Sequence, residues 1–60
     1  MNLYKITLYN KLTDAWEKRT TEKLSFPEAS VEANLVRHNL GLDWEIVSIY
    51  KNNNEVKKNA

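Results

Sequence analysis

The stretch WEIVSIY, residues 44–50, decides the fold because it carries large apolar side chains on both sides of one predicted strand. Successive side chains of a strand point to opposite faces of the sheet. One face therefore receives Trp44, Ile46 and Tyr50, and the other receives Val47 and Ile49. A single helix covers only one face of a sheet, so we expect apolar groups to remain on the second face.

Two further strands precede this one. Residues 3–9 alternate, with Tyr4, Ile6 and Leu8 on one side, which is typical of a strand with one buried face. Residues 10–14 contain asparagine and aspartate and are predicted to form a turn. Residues 15–24 then return as a polar strand, placed at a sheet edge because its charges oppose edge-to-edge pairing. Helix is the competing interpretation of the charged part, but consecutive threonines and the absence of an apolar stripe disfavour it.

The residues SFPE, 25–28, are typical of a helix start. In such a capping box Ser25 accepts a bond from an early helical N–H, and Glu28 bonds back to the Ser25 N–H. The helix is predicted to run to about Leu40, with a buried stripe that Leu35 widens, formed by Phe26, Ala29, Ala33, Val36 and Leu40. Gly41 is expected to end it in a left-handed conformation, with Leu42 folding back on the last turn.

These elements predict a ββαβ domain of the α+β class. Since the first two strands are antiparallel and the helix returns the chain, the third strand pairs antiparallel with the free side of the first. The expected sheet therefore has the order 2-1-3, with the helix packed on one face and a right-handed crossover. We expect one domain over residues 1–52 and a flexible polar tail over 53–60.

Length, charge and composition restrict the function. A chain of 60 residues has a small core and marginal stability, which association can improve. With a net charge of +1, the chain lacks the excess of basic residues that is typical of a dedicated DNA-binding domain. No apolar run approaches the roughly 18–20 residues that cross a bilayer, and cysteine is absent, so we expect a cytoplasmic protein without a membrane partner.

The sequence gives little support for a catalytic, cofactor or metal site. His38 is the only histidine and is predicted in the last helical turn, where a solvated or capping role is the simplest interpretation. Asp43 and Ser48 are conceivable partners for it, but no spacing rule joins the three. The single glycine excludes glycine-rich phosphate loops, and one histidine without cysteine disfavours a metal site. We therefore expect no enzymatic activity, no catalytic residue and no cofactor.

Aromatic side chains are the better indication of function, because Tyr and Trp are enriched at binding hot spots. If Val47 and Ile49 lie under the helix, then Trp44, Ile46 and Tyr50 face outward. The opposite register exposes Val47 and Ile49 instead. Either register leaves an apolar patch, and such patches commonly mark interaction sites. The first register predicts a partner-binding or dimer face made of Tyr9, Trp16, Trp44, Ile46 and Tyr50. The alternative partner is single-stranded nucleic acid, with bases stacked on the rings near Lys5, Lys18, Arg19, Lys23 and Lys51.

The order of these patterns resembles many short phage-encoded accessory or early proteins. The resemblance is carried by an opening Tyr4-Lys5-Ile6-Thr7 strand, by a helix containing Ala29 and Ala33, and by the closing strand from Trp44 to Ile49. It implies a non-enzymatic protein that binds a host protein and inhibits or modulates it. A homodimer formed through the same aromatic face is the expected assembly.

Overall fold

The structure is a computed structural model that describes residues 1–51. The described chain folds as β1 (Asn2–Asn10), β2 (Trp16–Lys23), α1 (Phe26–Leu40) and β3 (Trp44–Lys51). Both β2 and β3 pair antiparallel with β1, and the sheet order is β2-β1-β3. The predicted α+β fold, with its order 2-1-3, is confirmed. The predicted tail, residues 53–60, and Asn52 before it lie outside the described residues.

The central strand supplies most of the core. Tyr4, Ile6, Leu8 and Asn10 are buried on the side of β1 that faces α1, and Ile6 and Leu8 are completely inaccessible. This strict alternation follows from the pleat, since every second side chain points towards the helix. The central strand β1 therefore has the clearest apolar alternation of the three strands, as predicted.

A β-bulge in β3 changes which of its side chains face α1. Thr7 lies opposite Ser48 while Leu8 lies opposite Ile46, so Val47 has no partner on β1. An extra residue of this kind shifts the alternation by one position. As a result Trp44 and Ile46 before the bulge and Ile49 after it all pack against the buried core. Each of the two registers expected for an unbroken strand is therefore right for only half of β3.

The start of α1 differs from a capping box. Ser25 has the extended backbone of an N-cap but makes no side-chain capping bond. The Glu28 carboxylate accepts the Leu24 N–H, at 3.0 Å, instead of the Ser25 N–H. One acidic side chain still satisfies a backbone donor at the entrance to the helix, and its charge is favourable beside the helix N-terminus.

The buried side of α1 is narrow. Ala29, Ala33 and Val36 are buried, and Leu40 packs against the same cluster. Leu35 is 54% exposed, so the expectation that it widens the buried stripe is wrong. Phe26 is also half-exposed and touches the core through an edge-on contact with Tyr4, with ring centroids 6.3 Å apart. Because alanine side chains are short, the helix backbone lies close to the sheet.

Gly41 ends α1, although not in the predicted left-handed helical conformation. Its φ of 128° and ψ of 170° fall in a region that essentially only glycine adopts, while its N–H donates to the Arg37 carbonyl at 3.0 Å. This extended geometry directs the chain away from the helix. Leu42 is consequently 85% exposed and does not fold back on the last turn.

The helix packs more closely on β3 than on β2. The α1-facing side of β2 carries only polar side chains, namely Glu17, Arg19, Thr21 and Lys23. These polar groups remain hydrated. Trp44, Ile46 and Ile49 of β3 are apolar, and packing against the helix removes part of their surface from water. A salt bridge between Lys23 and Glu32, 3.7 Å long, spans the gap between β2 and α1.

Candidate protein-binding face

The sheet face that points away from α1 is called here the open face. Cross-strand partners lie on the same face, so the pairing of β1 with its neighbours defines this surface. Its members are Leu3, Lys5, Thr7 and Tyr9 of β1, Trp16, Lys18, Thr20 and Glu22 of β2, and Glu45, Ser48 and Tyr50 of β3. Polar side chains occupy the middle of the open face, and aromatic rings lie towards its two ends.

Tyr9 and Trp16 form one aromatic pair, called the aromatic corner. The two residues lie opposite each other on β1 and β2, with ring centroids 4.8 Å apart and planes inclined by 50°. Trp16 remains 58% exposed. The corner therefore holds its rings in place through an intramolecular contact while presenting a large apolar surface to solvent.

The loop beside the aromatic corner is held by a dense set of hydrogen bonds. The buried Asn10 side chain accepts the N–H groups of Leu12 and Thr13, at 2.8 and 2.9 Å. Asp14 adopts a φ of 62° and its N–H donates to the Asn10 carbonyl, while the Lys11 N–H donates to the Asp43 carbonyl. Asparagine and aspartate are the side chains that best support such a turn. The loop thus fixes the Asp14 carboxylate next to Tyr9.

The Tyr9 hydroxyl donates a hydrogen bond to the Asp14 carboxylate. This bond raises the pKa of Tyr9 above its ordinary value of 10.0, because it stabilises the protonated phenol; desolvation and the negative charges of Asp14 and Glu45 act in the same direction. The bond ties the ring to the loop and so supports the position of the aromatic corner.

We predict that Tyr9 titrates later than free tyrosine, and that Asp14→Asn returns its pKa towards the ordinary value. The raised pKa means that the unfolded chain loses its phenolic proton first. The bond therefore stabilises the fold fully below about pH 10, and this contribution is lost as the pH rises through the higher folded pKa. Ultraviolet titration of the phenolate, with Tyr9→Phe identifying the signal, measures the shift. Identical titration curves for the Asp14→Asn variant and the parent protein would contradict the assignment.

Tyr50 lies at a distance from the aromatic corner. It is opposite Lys5 on β1 and 50% exposed, and four residues of β1, or about 13 Å, separate the Lys5 and Tyr9 positions. Val47, the extra residue of the bulge, is exposed to a similar extent. Tyr50 therefore lies on the open face without continuing the aromatic corner.

The structure separates the five residues predicted for the partner-binding face. Tyr9, Trp16 and Tyr50 lie on the open face, as expected from the register that turns them outward. Trp44 and Ile46 lie on the other side, against the core, so their predicted place on the open face is wrong. The physical reason is the bulge at Val47, which places Trp44 and Ile46 on the opposite face from Tyr50.

Some exposed apolar groups were not predicted from the sequence. Leu12, Leu24, Val31, Leu35 and Leu42 are all more than half exposed. A strict helical period of three and four residues from Ala29 through Ala33 to Val36 already leaves Val31 and Leu35 off the buried side. That signal was present in the sequence. The exposure of Leu12 and Leu42 depends on loop geometry and had no such signal.

Charges of both signs surround the open face. Lys5 and Lys18 lie on it together with Glu22 and Glu45. Glu45 also pairs weakly with Lys11, at 3.9 Å, with both side chains more than half exposed. Exposed pairs of this kind add little stability. The open face is therefore mixed in charge and offers no continuous basic track.

His38 is exposed near the end of α1, and no group of three or more His, Cys, Asp or Glu side chains within residues 1–51 is arranged to hold a metal ion. Within the same part of the chain, α1 is neither long nor apolar enough to cross a membrane. Comparison with known proteins finds no matching family model, and no curated protein or solved structure with a significant match.

Proposed function

We propose that this protein is a small non-enzymatic binding module that contacts a protein partner through its open face. The observation that carries the proposal is the aromatic corner, where Trp16 is 58% exposed and Tyr9 supports it from the neighbouring strand. Binding normally costs side-chain entropy, and a ring already held in position loses less of it. Trp and Tyr are also the residues that most often dominate binding energy.

The mixed charge of the open face favours a protein over other partners. Apolar rings flanked by Lys18 and Glu45, side chains of opposite sign, match the composition of a protein interface with a polar rim. The resemblance to short phage-encoded proteins adds that the partner is a host protein, which the module inhibits or modulates in the cytoplasm. Self-association through the same face, as a twofold dimer, would cover Trp16 and Tyr50 in the absence of that partner.

Single-stranded nucleic acid is the second candidate, supported by one specific arrangement. Lys5 lies opposite the exposed Tyr50, and Lys18 follows Trp16 on the same face, so each exposed ring has a lysine nearby. Ring stacking combined with phosphate contacts is how such surfaces bind single strands. Glu22 and Glu45 on the same face oppose phosphate binding, and for this reason the protein partner ranks first.

Trp16→Ala is the test, compared with Leu42→Ala, which removes another exposed apolar side chain, in the loop between α1 and β3. We expect affinity capture from a bacterial host lysate to recover a partner with the parent protein and with Leu42→Ala, but not with Trp16→Ala. For the purified pair, calorimetry is expected to show a loss of ~2 kcal/mol or more for Trp16→Ala, the size typical of a hot spot. If the protein forms a homodimer through the open face, sedimentation is expected to show the dimer for the parent protein and a weakened or absent dimer for Trp16→Ala.

Other results would overturn the proposal. Equal capture by both variants would remove the aromatic corner from the interface. Salt-sensitive quenching of tryptophan fluorescence by oligonucleotides, lost in Trp16→Ala, would instead favour the nucleic-acid candidate. Circular dichroism of each variant confirms that any loss of binding is not a loss of folding.

A further inference from the structure

The outer edge of β2 is a regular strand edge that the proposed function does not use. Within residues 1–51, β2 pairs with β1 on one side and has no strand on the other. It pairs with β1 in one register over all eight of its residues, and α1 is displaced towards β3. The other outer strand, β3, is interrupted by the bulge at Val47, and bulges hinder the addition of a further strand. The edge of β2 is therefore the one suited to receive a strand.

The hydrogen bonds between β1 and β2 show which backbone groups of β2 point outward. The Asn10 N–H donates to the Ala15 carbonyl at 2.8 Å, and this pair continues the register of the two strands. Hydrogen-bonded pairs recur at every second residue of an antiparallel ladder, so the odd-numbered residues of β2 bond to β1. The N–H and C=O groups of the even-numbered residues, among them Lys18, Thr20 and Glu22, consequently point to the free edge.

Antiparallel pairing of β2 with the same strand of a second copy is allowed only in a few registers. The twofold axis of such a pair is perpendicular to the sheet, and cross-strand partners share a face, so the pair is centred on one residue. The charges of β2 oppose most choices of this central residue. Centring the pair on Lys18, Arg19 or Glu22 places that charged residue opposite its own copy. Centring it on Thr21 places Arg19 opposite Lys23.

The register centred on Thr20 pairs opposite charges instead. It places Lys18 opposite Glu22 of the second copy on the open face, and Glu17 opposite Lys23 on the face towards α1. By symmetry each of these pairs occurs twice, and Thr20 lies opposite Thr20. Opposite charges and paired threonines are both favourable cross-strand partners. The strand is therefore self-complementary in this register and repels itself in the neighbouring ones.

The salt bridges already present are compatible with this register. Arg19 comes opposite Thr21 and lies diagonal to its own copy, about 7–8 Å away. Its charge is balanced within the strand by Glu17, at 2.7 Å. Lys23 bonds Glu32 of α1 at 3.7 Å. Both bridges are partly exposed, so Glu17 and Lys23 remain accessible to an additional partner.

We propose that two copies of this protein pair along β2, centred on Thr20, and form one six-stranded sheet. The backbone groups of Lys18, Thr20 and Glu22 then bond across the twofold axis in three hydrogen-bonded pairs. Both helices lie on one side of this sheet, and the two open faces join on the other. Trp16 is four residues from Thr20, so the two aromatic corners lie about 27 Å apart along the strands. The contact leaves the open face uncovered and goes beyond the proposed function.

Single cysteine substitutions test the register, because the chain has no cysteine of its own. Hydrogen-bonded antiparallel residues have Cα atoms about 5.5 Å apart, within the range of about 4.4–6.8 Å that a disulfide spans. We expect Thr20→Cys to form a disulfide-linked dimer in a glutathione buffer. Lys18→Cys, on the same face, lies about 14 Å from its own copy along the strands and is expected to stay unlinked. A mixture of Lys18→Cys and Glu22→Cys is expected to give the mixed dimer.

Charge reversal in the Thr20→Cys protein tests the pairing chemistry. Lys18→Glu places glutamate opposite Glu22 at two positions, and we expect the equilibrium ratio of linked to unlinked protein to fall about tenfold. Adding Glu22→Lys restores opposite charges and is expected to restore the ratio. Trp16→Ala removes a ring of the open face and is expected to leave the ratio unchanged. Circular dichroism confirms that each variant is folded.

Three results would overturn the inference. The first is a Thr20→Cys protein that links no more than Lys18→Cys, since random collision would then explain any disulfide. The second is a ratio that stays low when both charges are reversed, which would exclude the pairing of Lys18 with Glu22. The third is loss of the linked dimer in Trp16→Ala, which would assign self-association to the open face. These readouts need no protein partner, so their failure is separate from failure of the proposed function.

Discussion

Replacing Leu8 with alanine is expected to lower the free energy of unfolding by about 2–5 kcal/mol, the range for a leucine deleted from a packed core. Leu8 is completely buried on the side of the central strand β1 that faces α1, and it lies opposite Ile46 on β3. A domain of this length has a total stability of only about 3–9 kcal/mol, taking 0.05–0.15 kcal/mol per residue. The substitution therefore removes much or all of the folding free energy.

Urea denaturation followed by circular dichroism measures this effect. Leu12→Ala is the matched control, because it makes the same chemical change at a residue that is 75% exposed, and we expect it to alter stability by no more than about 0.5 kcal/mol. A Leu8→Ala protein as stable as Leu12→Ala would show that the core is not centred on β1.

Alanine substitution of the two tryptophans is expected to separate stability from binding. Trp44→Ala should destabilise the fold by about 2–4 kcal/mol, somewhat less than the 3–5 kcal/mol of a fully buried large aromatic, because Trp44 is half-buried against the core. Trp16→Ala should cost about 0.5–1.5 kcal/mol, the worth of its ring contact with Tyr9. Only Trp16→Ala should also abolish partner binding.

Thermal and urea unfolding of the two variants, followed by circular dichroism, provide the comparison. The pair forms its own control, since each variant retains one tryptophan and has the same composition. If Trp16→Ala proved the more destabilising change, the assignment of the faces, and with it the bulge at Val47, would be wrong. Loss of binding in Trp44→Ala at a temperature where it remains folded would return Trp44 to the interface.

The order of elements could be predicted from the sequence because each element carries its own local signal. The alternation of Tyr4, Ile6 and Leu8 has a period that only a strand produces, and the helix start at residues 25–28 and the stop at Gly41 are set by backbone chemistry. The sheet order then follows from connection lengths and handedness. The strand assignment of β2, against the helical alternative, rested on its threonines and is confirmed.

The candidate site was predicted only in part. Tyr9 and Trp16 were placed correctly because β1 and β2 pair in one register over their whole length. Tyr50 was placed correctly because it lies on the same side of the bulge as Ile49, which the predicted register puts under the helix. Trp44 and Ile46 were misplaced because a count along the chain cannot detect an extra residue that is defined only by the partner strand. The support of Tyr9 by Asp14 likewise depends on loop geometry.

The sequence by itself determined the ββαβ order, the central place of β1 and the buried alanine side of α1, because apolar period and turn chemistry are local properties of the chain. Only the tertiary structure decided the bulge at Val47 and the displacement of α1 towards β3, which leaves Val31 and Leu35 exposed. These features arise when three strands and one helix pack together, since the helix covers the apolar side chains of β3 and leaves the polar β2 open. Pairing between distant segments, which no single stretch encodes, sets which rings reach the solvent.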